Sequence, residues 1–312
     1  MARGAGAVRA LTGRYSLPVA ITSRPATGLE DLRAAERLLS EAWLAHGPTA
    51  ATTPGDLEWW FAQAHPAELG DLLRLWFVDD RLVGWSWFAL DETDWHVDFE
   101  HRGAGVEDAI LNFIRVAPNS GPLRAWARED DPALLAALER HDFRPTDERL
   151  THWMRRIDDG RPIPEPELPD GYTLRTVRGD EDVDRRVEAH RQAFAPSRMT
   201  AEKYRRLMTL PHYRPEHDFV VVAPDGAFAA FTMAWWDRAG RVGELEPVGT
   251  HPHHRRQGLG RAANLAALRL FASLDAMWAG VYSVTSNAAS EALYASVGFE
   301  VQTHHRRYIR DG

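Results

Sequence analysis

The chain has 312 residues, 44% hydrophobic and 26% charged, with a formal net charge of -8 and no cysteine. That length suits two domains of roughly 150 residues, and no apolar run approaches the ~18 residues of a membrane span. Lack of cysteine excludes disulfides, thiolate catalysis and zinc-cysteine sites and points to the cytoplasm; the acidic balance argues against a protein built to hold nucleic acid.

The first fifteen residues, MARGAGAVRALTGRY, carry basic residues without the apolar core of a signal peptide and read as a loose arm. VAITSRP (19–25) reads as a strand, and LRLWFVDDRLVGWSWF (73–88) as a hairpin turning at Asp79-Asp80. HVDFEHRGAGVEDAIL (96–111) follows as strand, loop and helix, then DPALLAALERHDF (131–143) as a helix and LTHWMRRI (150–157) as a strand. Residues 158–170 hold four prolines, which can continue neither a helix nor a central strand, so they are expected to link a domain 1–157 to a domain 171–312.

The second half repeats this order. YTLRTVR (172–178) matches the first strand, EDVDRRVEAHRQAFA and TAEKYRRLMTL are helix candidates, and DFVVVAPDGAFAAFTMAWW (218–236) is a second hairpin. After the strand ELEPVGT come a helix with apolar residues at 265, 268, 270 and 271, the strand AGVYSVTS, a helix that Asn287 can cap, and THHRRYIR (303–310). Matched points lie about 145 to 156 residues apart, which is a duplicated domain of α/β class with a mixed sheet and not a solenoid unit.

HPHHRRQGLGRA (251–262) lies between the strand ELEPVGT and the alanine-rich helix. His251, His253 and His254 have no carboxylate at ligand spacing, so a metal is not implied. Gly258 and Gly260 at a helix start would instead expose consecutive N–H groups to an anion, with Arg255, Arg256 and Arg261 adding charge.

Arg255-Arg256-Gln257-Gly258-Leu259-Gly260 resembles the Q/R-x-x-G-x-G/A loop of the GNAT superfamily of acyl-CoA N-acyltransferases. Asn287, Ala292-Leu293-Tyr294 and Gly298-Phe299 resemble a second motif of that family. The resemblance covers nearly all of residues 171–312. It implies two tandem GNAT-like domains, each a mixed, largely antiparallel twisted sheet flanked by helices. It further implies that Val248, Thr250, Arg255, Arg256, Gln257, Gly258, Leu259, Gly260, Arg261 and Asn287 hold acetyl-CoA, and that Tyr294 is the general acid beside the sulfur. Pro247 falls where the family carries a bulge that opens the sheet.

Acyl transfer to an amine needs a base, oxyanion donors and a proton for the thiolate, but no enzyme nucleophile or metal. Glu244 and Glu246 alternate with Val248 and Thr250 on one strand face, and either is placed to act as base. Backbone N–H groups near Val248 to Thr250 are the expected oxyanion donors.

The corresponding loop of the first half, Arg102-Gly103-Ala104-Gly105-Val106-Glu107, ends in a carboxylate that would repel a diphosphate. Leu138 stands where Tyr294 would be, and Asp142 where Gly298 would be, so the first half is expected to keep the fold without the chemistry and to wall the acceptor site or brace the second half. Of the tryptophans at 59, 60, 76, 85, 87, 95, 235 and 236 most are expected in core or interdomain packing and some at an acceptor pocket, for which Trp235 and Trp236 are best placed, though successive strand residues cannot both face it.

The reading is an acetyl-CoA-dependent N-acetyltransferase acting on a primary amine of a small molecule, with neither membrane nor nucleic acid as partner. Its alternatives are a donor carried on a carrier protein or tRNA, for which THHRRYIR is the one modestly basic stretch, and a non-catalytic acyl-CoA-binding module. Acceptor identity, acyl-chain length and oligomeric state are not encoded in any motif.

Overall fold

The computed structural model describes residues 20–89, 92–116 and 121–311; the expected amino-terminal arm lies outside them. The first half runs β1 (Ile21–Pro25), α1 (Leu29–His46), α2 (Pro54–Gln63), α3 (Leu69–Leu72), β2 (Leu73–Val78), β3 (Arg81–Ala89), β4 (Glu92–Val97), α4 (Val106–Val116), β5 (Leu123–Arg128), α5 (Pro132–Arg140) and β6 (Arg144–Arg156). The second half runs β7 (Thr173–Thr176), α6 (Val183–Ala193), α7 (Ala201–Met208), β8 (Asp218–Val222), β9 (Phe228–Asp237), β10 (Val242–Thr250), α8 (Leu259–Ser273), β11 (Trp278–Val284), α9 (Ala288–Ser296) and β12 (Glu300–Arg310). None of the described helices is long and apolar enough to cross a membrane.

Local chemistry sets most of these boundaries. Asp79 and Asp80 take left-handed backbone, φ +47° and +63°, the geometry of a two-residue hairpin turn between β2 and β3. Thr53, Asp131, Thr200 and Asn287 cap α2, α5, α7 and α9 by accepting a first-turn N–H, each typically worth about 1 kcal/mol. At Thr53 the cap is reciprocal, because the Asp56 carboxylate accepts the Thr53 N–H at 2.6 Å.

All the strands share one sheet in the order β1-β2-β3-β4-β5-β12-β6-β11-β10-β9-β8-β7. Counted outward from its centre, the order is symmetric: β5 answers β11, β4 answers β10, and so on to the edges. The equivalent pairs β4–β5 and β10–β11 are parallel and the other pairings antiparallel. The halves have exchanged their last strands. Leu150 to Arg156 of β6 pair with β11 of the second half, and His305 to Arg310 of β12 pair with β5 of the first.

This exchange neutralises the basic carboxy-terminal stretch. Arg306 meets Glu129 at 2.8 Å and Arg307 meets Glu148 at 2.7 Å, both across the sheet. The proline-rich segment is likewise tied down, with Arg269 of α8 donating to the Ile163 carbonyl at 3.1 Å.

The largest core cluster draws on both halves: Leu32 and Leu39 of α1, Leu57 and Trp59 of α2, Val187 of α6, Tyr204 and Leu207 of α7 and Trp235 of β9. Beside it Glu58 accepts the His212 N–H at 3.0 Å and contacts the His212 ring at 2.9 Å, with Glu36 packed alongside. Burial pushes the Glu36 carboxyl up to about 8, with the His212 imidazole opposing and Glu58 adding to the shift.

A folded value above the ordinary 4.5 means that the folded chain binds the extra proton between the two, so stability falls as pH rises through that window. Glu36→Gln cannot lose that proton. It is expected to flatten the fall in Tm between about pH 5 and pH 8.5; an unchanged slope would assign the dependence to other groups.

Candidate active site

β10 pairs in parallel with β11 only from Val242 to Glu244, and its antiparallel register with β9 breaks between Leu245 and Val248. Pro247, which has no N–H to give a ladder, lies in that break as expected. The Trp235 indole N–H donates to the Glu246 carbonyl at 2.7 Å and fixes the displaced backbone. Where β10 leaves β11 a cleft of 470 Å³ opens, lined by Glu246, Pro247, Val248, Tyr282, Asn287 and Tyr294 of the second half and by Trp59 and Gln63 of α2.

The cleft continues into a groove of 580 Å³ between Val248–Thr250, the following loop and α9. Gly258 takes φ +79° and caps α8 without a side chain, leaving the first-turn N–H groups of the helix uncapped. At Gly260 a Cβ would stand 3.1 Å from Thr250 Oγ1 and 3.5 Å from Leu293 Cδ2, so a larger residue would close the groove. Arg255, Arg256 and Arg261 line it and have no acidic partner among the described residues. Open N–H groups, a helix dipole and unpaired guanidinium groups together suit an anionic group such as a diphosphate.

The other sequence-derived loop residues fall differently. Gln257 is exposed and does not line the groove, whereas Leu259 lines it with its side chain buried among Val221, Ala230 and Ala263. The histidines brace the loop: His251 Nδ1 accepts the His253 N–H at 3.2 Å, and His254 Nδ1 contacts the Tyr172 hydroxyl at 2.9 Å.

Three carboxylates, Asp56, Glu244 and Glu246, have oxygens within 4.8 Å of one another. Thr53 Oγ1 donates to Glu244 Oε2, while Glu244 Oε1 is buried without a hydrogen-bond partner. Two charges at that separation repel by roughly 3.5 kcal/mol at an effective dielectric of ~20. Burial first, then this mutual repulsion, holds Glu244 and Glu246 well above the ordinary carboxylate range, and burial also raises Asp56. The set therefore retains protons and attracts a cation, whether an ammonium or a metal. Tyr294, 5% exposed, keeps its hydroxyl proton because burial and the nearby Glu246 charge raise its pKa.

Thr53, Asp56 and Gln63 escaped the sequence reading, in which Trp59 stands only as one of several tryptophans divided between core packing and a pocket wall. The T-x-x-D pattern at 53–56 is readable as a helix start, yet nothing local shows that Thr53 meets Glu244, 191 positions away. Trp235 is buried behind β10, and Trp236 lines a separate cavity with Asp237 and His212, so neither lines the cleft.

In the first half the equivalent loop is filled from within. The Glu107 carboxylate accepts the Gly103 N–H at 3.1 and 3.2 Å, and Arg102 is engaged by Asp131 at 2.9 Å. Leu138 is fully buried, and Asp142 keeps a left-handed turn at φ +62° where Gly298 has φ +88°.

A family model, the Acetyltransferase (GNAT) family, matches residues 184–299. A mycothiol acetyltransferase of Salinispora tropica is 34% identical over 68% of this chain and 70% of its own length. A mycothiol acetyltransferase of Frankia casuarinae is 29% identical over 96% of this chain and 88% of its own. Among solved structures, a tandem GNAT protein from the clavulanic acid biosynthesis pathway superposes with a TM-score of 0.67 at 17% identity, covering 94% of this chain and 98% of that one. A GCN5-related N-acetyltransferase from Sphaerobacter thermophilus gives 0.63 at 18% identity, covering 93% and 95%. At such identities the structural likeness is one of fold.

Titration of acetyl-CoA into the intact protein is expected to show one site per chain. Gly260→Glu, which copies the Glu107 carboxylate into the second half, should weaken binding at least tenfold, or about 1.4 kcal/mol, while Glu107→Gln leaves it unchanged. Two equivalent sites would show that the first loop is open.

Proposed function

This chain belongs to the GNAT family of acyl-CoA N-acyltransferases, and we propose that residues 171–312 carry out the acetyl transfer while residues 1–157 wall the acceptor side of the cleft. The enzyme is an acetyl-CoA-dependent N-acetyltransferase acting on a small-molecule amine. One observation supports this division above others: α2 of the first half brings Thr53 and Asp56 against Glu244, at the point where β10 parts from β11.

Acetyl-CoA supplies the activated acyl group. The Gly258–Arg261 turn and its arginines hold the diphosphate, Asn287 shapes the groove wall, and Val248 to Thr250 offer backbone donors to the carbonyl oxygen. The acceptor enters as an ammonium drawn to Asp56, Glu244 and Glu246. Because these carboxylates are coupled, the proton it gives up belongs to the set, which acts as the base. The free amine attacks the thioester carbon, the C–S bond breaks, the Tyr294 hydroxyl gives its proton to the departing sulfur, and the second proton that the nitrogen loses on becoming an amide restores the Tyr294 hydroxyl. No metal takes part, since the ammonium itself supplies the cation that the acids attract, and turnover should survive a chelator. The acceptor of the mycothiol acetyltransferases is the first amine to offer.

Tyr294→Phe is expected to lower kcat by about a hundredfold with little change in the KM for acetyl-CoA. Unchanged turnover would remove Tyr294 from the acid role. Glu244→Gln and Glu246→Gln should each lower kcat/KM by roughly 10²–10⁴-fold, the larger loss marking the carboxylate that meets the amine. Full activity in both would sink the reading.

A further inference from the structure

On the acceptor side of the cleft, α2 and β4 wall a second cavity of 720 Å³, whose lining includes Trp60, Gln63, Trp87, Asp94, Arg198 and Lys203. Gln63 also lines the cleft that holds Glu246 and Tyr294, so the two spaces adjoin across one side chain. The volume suits a small molecule, and the half-buried Trp60 offers indole surface for a ring, backed by the buried Trp87.

The charges of this cavity are sorted along it. At the catalytic end Asp94 lies within the field of Asp56; burial, Glu92 and Asp56 together push its carboxyl up to about 7. Glu92 is already paired with Arg307. At the other end Arg198 and Lys203 flank the start of α7 with no acidic partner among the described residues, although the chain carries 45 acidic side chains against 37 basic ones. Burial and the neighbouring Arg198 charge lower the Lys203 ammonium, so the two cations repel each other without relief. Glu202, the acid nearest in sequence, turns to Thr200 and feels Arg205. Lys203 is the single lysine of the chain.

We propose that this cavity seats the far end of the acceptor and that Arg198 and Lys203 bind an anionic group on it, making the natural acceptor an amine that also carries a carboxylate, phosphate or sulfate. Such a zwitterion is oriented before it is bound: its ammonium is drawn toward Asp94 and the catalytic acids, and its anion is held at the rim. The proposal rests on the reading that the adjoining cleft acetylates an amine.

Calorimetric titration with two matched pairs tests it: glucosamine 6-phosphate against glucosamine, and β-alanine against β-alaninamide. The anionic member of at least one pair is expected to bind the wild-type protein at least about tenfold more tightly, the responsive pair telling phosphate from carboxylate. The double variant Arg198→Met/Lys203→Met should lose that preference while acetyl-CoA affinity and Tm hold. Wild-type protein that draws no distinction, including no binding of any probe up to about 10 mM, overturns the proposal, as does a preference that survives the double variant. Thiol release from acetyl-CoA is followed in parallel. A variant-sensitive preference without acetylation of any probe would keep the anion site and remove the acetyl-transfer reading of the adjoining cleft.

Discussion

The exchange of β6 and β12 at the centre of the sheet is the constraint on which the site depends. Each half closes its sheet with a strand of the other, so the halves cannot separate without breaking three ladders of backbone hydrogen bonds, β5–β12, β12–β6 and β6–β11. That rigidity lets α2, a helix of the first half, hold Thr53 and Asp56 at hydrogen-bond distance from a strand of the second. Packing alone, through Trp59, Trp235 and Tyr204, would bring the elements together. The shared ladder also restricts their sliding, which matters because a misplacement of about 1 Å at a reacting centre can cost roughly a hundredfold in rate.

Clustered buried acids oppose folding unless they are protonated, paired or used. Asp56, Glu244 and Glu246 share protons, and Thr53 steadies one oxygen of Glu244 while the other stays unpartnered. The same crowding of buried acids that raises their proton affinity gives an incoming ammonium its attraction. The two glycine-bearing loops treat anions in opposite ways. Glu107 fills the first loop from within, whereas Gly258 and Gly260 leave the second open beside unpaired arginines.

Elements bounded by local chemistry were legible in the sequence. The Asp79-Asp80 turn, the Asn287 cap, the Pro247 break and the glycine turn before α8 each follow from the conformational limits of a few adjacent residues. The repeat was legible for the same reason, since it needs only internal comparison. Thr53 and Asp56 were not, because a capping threonine and its aspartate look the same whether they face water or another domain. Trp235 was misassigned to the pocket because alternation along a strand fixes two faces without saying which one packs against α2.

The sequence by itself determined a duplicated α/β chain, an anion-binding turn in its second half and the loss of that turn's openness in its first, since these depend on backbone geometry and charge over short spans. Only the tertiary structure decided that the halves exchange their closing strands, that α2 of the first half lines the cleft beside β10, and that three distant acids share one site. Those outcomes depend on which surfaces meet, and the free energy of that meeting comes from apolar burial and ladder pairing between residues more than a hundred positions apart, where local pattern carries no register.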